Sequence, residues 1–208
     1  MKIYEKMNIN NTALVVIDIV NGCCVGEEFK KIREMVPNLK EFIKDYREVA
    51  KTPIIFINIT PWTKKYLTGN INELYTDPKA CYYSKDKSGF EEGFYSVVPE
   101  KGDLIFTKNH YDAFVNSDFR KYLKENQIRY LIITGIFSDG CVLATICGGF
   151  SRGYNFVILK DLIETTDASN RQDLQKILKE STWPIMYGRT ITSKGFLGSW
   201  QKLINKGN

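Results

Sequence analysis

The chain contains 208 residues, of which 43% are hydrophobic and 25% are charged, and its formal net charge is +5. These proportions are typical of a soluble globular protein, and we expect one domain that spans residues 1–208. Because the lysines are scattered and no apolar run is long enough to span a bilayer, we expect neither nucleic acid nor a membrane as a partner.

Short apolar segments rich in β-branched residues recur along the chain and predict buried strands. Near-continuous apolar strands separated by helical patterns are typical of a parallel sheet that is covered on both faces. The sequence therefore predicts an α/β fold with three αβα layers and a central, mainly parallel sheet of about six strands. The predicted strands cover residues 12–18, 53–59, 103–108, 129–135, 155–161 and 185–192.

Helical spacing of apolar residues predicts helices between these strands. The first covers residues 28–50, where Pro37 should interrupt or begin the main helix. Residues 116–126 suit a second helix, with Asn116 or Ser117 as its cap.

Three further helices complete the prediction. A buried helix should begin at Cys141 with Gly153 as its C-cap, another lies near 168–180, and Ser193 could cap the last one. The stretch 60–102 is the least regular part of the chain. A long loop inside a compact domain is more often a lid or a pocket wall than a linker.

The cysteines are odd in number and show no CxxC or zinc-binding spacing. Together with the lack of a recognisable signal peptide, this usage favours a reducing cytoplasm. The five are Cys23, Cys24, Cys81, Cys141 and Cys147.

Three reactive side chains fall where predicted strands end, the edge at which open parallel sheets bind ligands. Asp18 closes the first strand, Lys108 closes the third, and Cys141 follows the fourth after a tight turn. Taken singly, the aspartate could cap a loop, the lysine could be a surface residue and the cysteine could be a small core residue. Taken together, they indicate a catalytic site.

The chemistry of such a trio is acyl transfer through a thioester. The cysteine attacks as a thiolate, and the carboxylate of Asp18 takes the thiol proton and gives it to a leaving nitrogen. We expect the helix start and Lys108 to outweigh Asp18 and burial, so that the pKa of Cys141 is lowered.

Three segments of the chain resemble the isochorismatase-like cysteine hydrolases, which include nicotinamidases, N-carbamoylsarcosine amidases and ureidoacrylate-type amidohydrolases. They are ALVVIDIVNG with Asp18, GDLIFTKNHYDAFVNSDF with Lys108, and LIITGIFSDGCVLATICGGFSRGYNFVILKD with Cys141. The resemblance implies a Rossmann-like fold, a catalytic triad of these three residues, a small-molecule substrate and a homo-oligomer. It also implies a cis peptide between Ile136 and Phe137, which aims the backbone N–H groups of Phe137 and Cys141 at the oxyanion.

The chain departs from this family after the first strand. Val20 replaces a glutamine and Cys23 replaces an aromatic residue, so an amide contact and a pocket wall differ. The Asp-x-His metal motif of nicotinamidases is also missing, and His110 is the only histidine. We therefore expect an active site with neither metal nor cofactor. His110 itself is more simply a structural or pocket-polar residue.

Candidate pocket walls are Trp62, Tyr111, Phe114 and Cys23, although the aromatic residues could equally be core residues and Cys23 a filler. The sequence predicts hydrolysis of a C–N bond in a small amide, ureido or carbamoyl compound. Two alternatives remain: an isochorismatase-type enol-ether hydrolase with Asp18 as its acid, and a catalytically silent binding homologue, which the altered segment 20–23 motivates.

Overall fold

The computed structural model describes residues 3–23, 26–75 and 93–205. Its centre is a sheet of six strands in the order β3-β2-β1-β4-β5-β6, and every neighbouring pair is parallel. This arrangement confirms the predicted fold class. The strands are β1 (Thr12–Ile17), β2 (Ile54–Asn58), β3 (Leu104–Thr107), β4 (Tyr130–Ile136), β5 (Asn155–Glu164) and β6 (Gly188–Ile191).

Helices cover both faces of the sheet. One apolar cluster joins α1 and α6 to one face, and a second joins α3 and α4 to the other. None of the helices in the described part of the chain combines the length and apolar character that a membrane crossing requires. The helices are α1 (Lys30–Ala50), α2 (Gly69–Leu74), α3 (Ser117–Glu125), α4 (Cys141–Phe150), α5 (Ser169–Ile177) and α6 (Ser193–Ile204).

The central strands are buried on both faces because helices cover them on both sides. Every residue of β1, β2 and β4 is buried, which explains their unbroken apolar sequences. The chain winds from β1 outward to β3 and then crosses to β4 on the other side of β1. The carboxyl ends of β1 and β4 therefore form a topological switch point, where such sheets bind ligands.

The first helix does not stop at its proline. Pro37 lies inside α1, so the prediction that it would interrupt or begin the main helix is wrong. A proline inside a helix costs about 3 kcal/mol. Apolar residues before and after it, including Ile32 and Phe42, bury one continuous stripe against the sheet and outweigh that cost.

The end of the chain differs from the prediction in the same way. Helix α5 continues as a π-helical segment, Leu178–Tyr187, which contains Pro184, so β6 starts three residues later than predicted. Trp183 is completely buried and anchors this segment in the core. Thr192 caps α6 by accepting a hydrogen bond from the Gly195 N–H, one residue before the predicted Ser193.

Two predicted helix ends have the expected chemistry. Asn116 is the N-cap of α3, and its side chain accepts a hydrogen bond from the Phe119 N–H at 2.8 Å. Helix α4 ends at Phe150, and Gly153 follows with φ of +84°. The N–H of Gly153 bonds back to the Phe150 carbonyl, and that of the next residue to Gly149, which is the Schellman pattern.

The irregular stretch 60–102 is only partly described. It contains the unforeseen helix α2, and Tyr95 forms an antiparallel bridge with Val20 after β1. Residues 76–92, which include Cys81, lie outside the described residues, and so does Cys24.

Candidate active site

Asp18 follows β1 in a backbone conformation that is unusual for an aspartate. Its φ is +54°, in the left-handed region that side chains seldom adopt. The N–H of Ile59, just past β2, donates a hydrogen bond of 2.7 Å to Asp18 Oδ1. The turn after β1 thus directs the carboxylate across the carboxyl ends of two neighbouring strands.

Lys108 joins the carboxylate to the cysteine. Its side chain is fully buried, and its Nζ donates to Asp18 Oδ2 at 2.8 Å and to Cys141 Sγ at 3.1 Å. Burial alone lowers the pKa of this ammonium, but the contacts with Asp18 and Cys141 outweigh it and hold the pKa above its usual value. Lys108 is therefore a cation that balances the buried carboxylate.

Cys141 is the first residue of α4 and is only 6% exposed. Burial raises the pKa of its thiol, the charge and hydrogen bond of Asp18 raise it further, and Lys108 opposes them incompletely. The prediction of a lowered thiol pKa is therefore wrong. Removal from water and the neighbouring Asp18 together outweigh the opposing effect of Lys108 on the pKa of the thiol.

The tight turn before α4, residues 137–140, is called the nucleophile turn below. It begins with the predicted cis peptide between Ile136 and Phe137. The Phe137 carbonyl accepts hydrogen bonds from the N–H groups of Gly140 and Val142, at 3.0 and 3.1 Å. Within the part of the chain that the structure describes, the N–H groups of Phe137 and Cys141 bond to nothing, so both are available as donors.

Gly135 lets the nucleophile turn come close to the strand that carries Asp18. Its φ is +118°, and a β-carbon at this position would overlap the backbone of Ile17. Only glycine satisfies both constraints. The resulting close approach of β4 and β1 brings the thiol within reach of the carboxylate.

Residues that the sequence did not single out hold the nucleophile turn from α5. Arg171 donates two hydrogen bonds to the Asp139 carboxylate, Nε to Oδ2 at 2.6 Å and Nη2 to Oδ1 at 2.7 Å. Thr165 Oγ1 donates a third to Asp139 Oδ1 at 2.7 Å. The Arg171 guanidinium also lies over the Phe137 ring, 4.9 Å from its centre.

A cluster of three aromatic side chains lies near the thiol of Cys141. The hydroxyl groups of Tyr75 and Tyr111 are hydrogen-bonded at 2.8 Å, and the ring of Trp62 meets that of Tyr75 edge-on at 5.5 Å. Burial raises the pKa of Tyr111, with smaller contributions from Tyr75 and from the nearby Cys141. Trp62 and Tyr111 were predicted pocket candidates, whereas Tyr75 was missed.

The chain matches a known protein family over most of its length. The model of the isochorismatase domain matches residues 12–188, from the start of β1 to the start of β6. The chain belongs to the isochorismatase family. It is an isochorismatase-family hydrolase, and the matched range includes Asp18, Lys108 and Cys141.

Individual relatives of the hydrolase are distant in sequence. The ureidoacrylate amidohydrolase RutB of Azorhizobium caulinodans is 24% identical over 174 residues, which cover 74% of this chain and 76% of that protein. A cysteine hydrolase structure from Pseudomonas syringae pv. phaseolicola 1448A matches with a TM-score of 0.82 at 20% identity, covering 98% of both chains. The N-carbamoylsarcosine amidase structure from Thermoplasma acidophilum matches at 0.64 and 19% identity, covering 88% of this chain and 96% of that one.

Two other residues, Phe114 and Cys23, were predicted as pocket walls of the hydrolase. Phe114 is completely buried and packs against Phe119 and Tyr154, so it is a core residue and not a pocket wall. The sequence alone would allow the Phe114 ring to face the pocket, but in the structure the ring packs against these neighbours on α3 and after α4. Cys23 is half-buried against the cluster under α1, and its role in the pocket stays a prediction.

No group of three or more metal-binding side chains comes together within residues 3–23, 26–75 and 93–205. The only histidine, His110, contacts the Asn70 amide through Nε2 at 3.1 Å and accepts from the Tyr111 N–H through Nδ1 at 2.9 Å. Both ring nitrogens are thus occupied by neighbours. The expectation of a metal-free and cofactor-free site stays a prediction.

Proposed function

We propose that the hydrolase cleaves the C–N bond of a small amide, ureido or carbamoyl compound through a thioester on Cys141. The observation that carries this proposal is the buried contact of one ammonium group with both Asp18 and Cys141, at 2.8 and 3.1 Å. A carboxylate, a cation and a thiol in contact provide a base, a charge balance and a nucleophile. The amidohydrolase named among the relatives supports the same class of reaction.

In the first half of the reaction, the sulfur of Cys141 attacks the substrate carbonyl carbon while Asp18 takes the thiol proton. The carbonyl electrons move to the oxygen, which accepts hydrogen bonds from the Phe137 and Cys141 N–H groups. When the carbonyl re-forms, the C–N bond breaks and Asp18 gives its proton to the departing nitrogen. The products of this half are an amine or ammonia and a thioester.

In the second half, Asp18 takes a proton from water, and the oxygen of that water attacks the thioester carbon. The C–S bond then breaks, and the thiol recovers its proton from Asp18. In the resting site, burial lowers the pKa of Lys108, but the contacts with Asp18 and Cys141 hold it above its usual value, so the ammonium balances the charge of the carboxylate. The raised pKa of Cys141 is compatible with this scheme, since the proton leaves as the sulfur attacks and no free thiolate is needed beforehand.

The proposal is tested by screening small amides, ureides and carbamoyl compounds for release of ammonia. We expect at least one compound to be hydrolysed by the parent, Cys141→Ala to be inactive, and Cys147→Ala to retain the parent rate. Cys147 is the matched control because it lies on the same helix, is free and has no part in the mechanism. Hydrolysis of an enol ether such as isochorismate that survives in Cys141→Ala, with no turnover of any amide, would favour enol-ether hydrolysis by Asp18. A lack of turnover on the enol ether and on every amide would favour a silent homologue.

We also propose that the hydrolase works in the cytoplasm as a homo-oligomer. The five cysteines without paired spacing support a reducing compartment. Fractionation of the source cells and light scattering of the purified chain would test the two statements separately.

A further inference from the structure

We propose that Arg171 is a positioning residue for acyl transfer, because it holds the nucleophile turn in the shape that aims its free N–H groups at the oxyanion. The inference rests on the function proposed above and extends it to a residue on α5, outside the Asp18–Lys108–Cys141 contact. Arg171 and Asp139 are 32 residues apart, and their side chains are 33% and 9% exposed.

The first anchor is the two-pronged hydrogen bond to Asp139. Two parallel N–H···O bonds of 2.6 and 2.7 Å fix both the position and the tilt of the carboxylate, which a single contact would not do. Thr165, just past β5, adds a third donor to the same carboxylate. Asp139 is therefore held by two different elements of the fold.

The second anchor is the ring of Phe137. The guanidinium of Arg171 lies 4.9 Å from the centre of this ring. The ring of Phe29, which precedes α1, stacks on the Phe137 ring with 6.0 Å between the two ring centres. One arginine thus contacts two of the four residues of the nucleophile turn. The backbone is held independently by the hydrogen bond of the Ser138 N–H to the Glu164 carbonyl.

These anchors flank the groups that the reaction uses. Asp139 lies between Phe137 and Cys141, whose N–H groups have no partner among the described residues. An oxyanion donor acts only within about 2.7–3.1 Å of the developing charge, so a small rotation of the turn removes its effect. Arg171 therefore affects transition-state stabilisation more than substrate binding.

A direct role in substrate binding fits the contacts less well. The Nε and one Nη of Arg171 are occupied by Asp139, and its face is occupied by Phe137. An anionic substrate that took the same two-pronged contact would have to displace a carboxylate that also holds Thr165. The geometry therefore assigns Arg171 to the turn and not to the substrate.

The test compares Arg171→Met and Arg171→Lys with the control Arg152→Met. Arg152 is a matched control because it also faces an aspartate, Asp112 at 3.7 Å, and lies over a ring, Phe114 at 5.6 Å, but it does not contact the nucleophile turn. We expect Arg171→Met to lower kcat about 10- to 100-fold and to change KM less than about 3-fold. The lysine variant should lie between it and the parent, and Arg152→Met should match the parent.

A second measurement separates a displaced turn from a damaged nucleophile. Alkylation of Cys141 by iodoacetamide forms no oxyanion, so its rate in Arg171→Met should stay within about 2-fold of the parent. Acetaldehyde adds by way of one: as the sulfur bonds to the aldehyde carbon, the carbonyl electrons move to the oxygen, and the thiol proton then passes to that oxygen. The product is a neutral hemithioacetal, whose oxygen accepts hydrogen bonds from the same N–H groups. Affinity for acetaldehyde should fall about 10-fold in Arg171→Met.

The aldehyde also makes the two proposals distinguishable. If the parent hydrolyses no amide but binds acetaldehyde at Cys141, and Arg171→Met weakens that binding, the proposed function fails and the role of Arg171 stands. If the parent neither hydrolyses an amide nor binds the aldehyde, both proposals are overturned.

Asp139→Asn provides the other half of a double-mutant cycle. Because both side chains act through the same contact, the double variant should lose no more kcat than the worse single variant. If Arg171→Met does not fold, Asp139→Asn and Arg171→Lys carry the same comparison. A kcat within 2-fold of the parent in the folded variants, or additive losses in the cycle, would overturn the role of Arg171.

Discussion

At the scale of single residues, Asp18 has an unfavourable backbone conformation, and its carboxylate makes two hydrogen bonds in the candidate site. A left-handed conformation costs a residue with a side chain about 1–2 kcal/mol. In return, the carboxylate accepts from the Ile59 N–H on one oxygen and from Lys108 on the other. Residues in sparsely populated conformations concentrate at active sites, and Asp18 follows this pattern.

The opposing effects of Asp18 and Lys108 on the thiol lead to a labelling experiment. Asp18 raises the pKa of Cys141 and Lys108 lowers it. We therefore expect Asp18→Asn to speed alkylation of Cys141 by iodoacetamide at neutral pH while abolishing turnover, and Lys108→Ala to slow alkylation. The measurement is the labelling rate against pH for each variant, with Cys141 resolved by peptide mapping.

Cys147 serves as the internal reference in each sample, since it is a free cysteine on the same helix. Its labelling rate should be the same in the parent and both variants. If Asp18→Asn slowed the labelling of Cys141, the assignment of Asp18 as a charge that opposes the thiolate would be wrong.

At the scale of elements, the positions of the strands were predictable, but the effect of proline on the first helix was not. β1 and β4 are buried from end to end, and that burial appears directly as apolar sequence. Pro37 was expected to interrupt or begin the first helix, yet it lies inside α1 because distant apolar surface buries the residues around it. Pro184 also lies inside a helical segment. Tertiary packing of this kind has no local signal.

The same distinction separates the site residues that the sequence could predict from those that it could not. Asp18, Lys108 and Cys141 could be grouped because each follows a predicted strand, and parallel strands end at one edge. Arg171 and Tyr75 could not, because each acts through a partner more than 30 residues away on an element whose orientation the sequence does not reveal.

Two glycines with positive φ offer a matched test of the close approach between β1 and β4. At Gly135 a β-carbon would overlap the Ile17 backbone, whereas at Gly153 nothing lies within 4 Å. We expect Gly153→Ala to lower the free energy of unfolding by about 1–2 kcal/mol from backbone conformation alone. Gly135→Ala should lower it by about 3 kcal/mol or more, because overlap adds to the same strain. Urea unfolding of both variants measures the difference, and equal losses would contradict the close approach.

The contact between α5 and the nucleophile turn should depend on pH. Burial raises the pKa of Asp139, but hydrogen bonds from Arg171 and Thr165 outweigh it, and the pKa lies below its usual value. The charged carboxylate therefore stabilises the fold above about pH 4, where the unfolded carboxyl is also ionised, and this stabilisation is lost as the pH falls further.

Asp139→Asn should consequently be less stable than the parent by about 1–3 kcal/mol near neutral pH, the range for hydrogen bonds to charged groups. The gap should close as the pH falls below about 4. Urea midpoints at pH 7, 5, 4 and 3 would measure it. A gap that stayed constant to pH 3 would show that the charge of Asp139 does not contribute.

At the scale of the whole molecule, the single domain stays a prediction with a direct test. One sheet with helices on both faces should unfold as one unit, so urea transitions followed by far-ultraviolet circular dichroism and by tryptophan fluorescence should coincide. Trp183 and Trp200 are buried on opposite faces of the sheet, so the fluorescence signal reports on both layers. Separate midpoints would indicate two domains.

The expectation that the active site contains no metal is tested on the intact protein. Treatment with a chelator, followed by dialysis, should leave the rate of amide hydrolysis unchanged within about 2-fold. Metal analysis of the purified protein should find less than one equivalent of zinc or iron. Loss of activity that added metal restores would contradict the proposed mechanism.

The order of the strands has a consequence for synthesis on the ribosome. β1 lies in the middle of the finished sheet, but its neighbour β4 is made more than a hundred residues later. Until then β1 is an edge strand, with the apolar sequence TALVVI open on one side to pairing with other chains. We therefore expect the nascent protein to keep an aggregation-prone edge exposed until β4 emerges, on the strand that leads to Asp18.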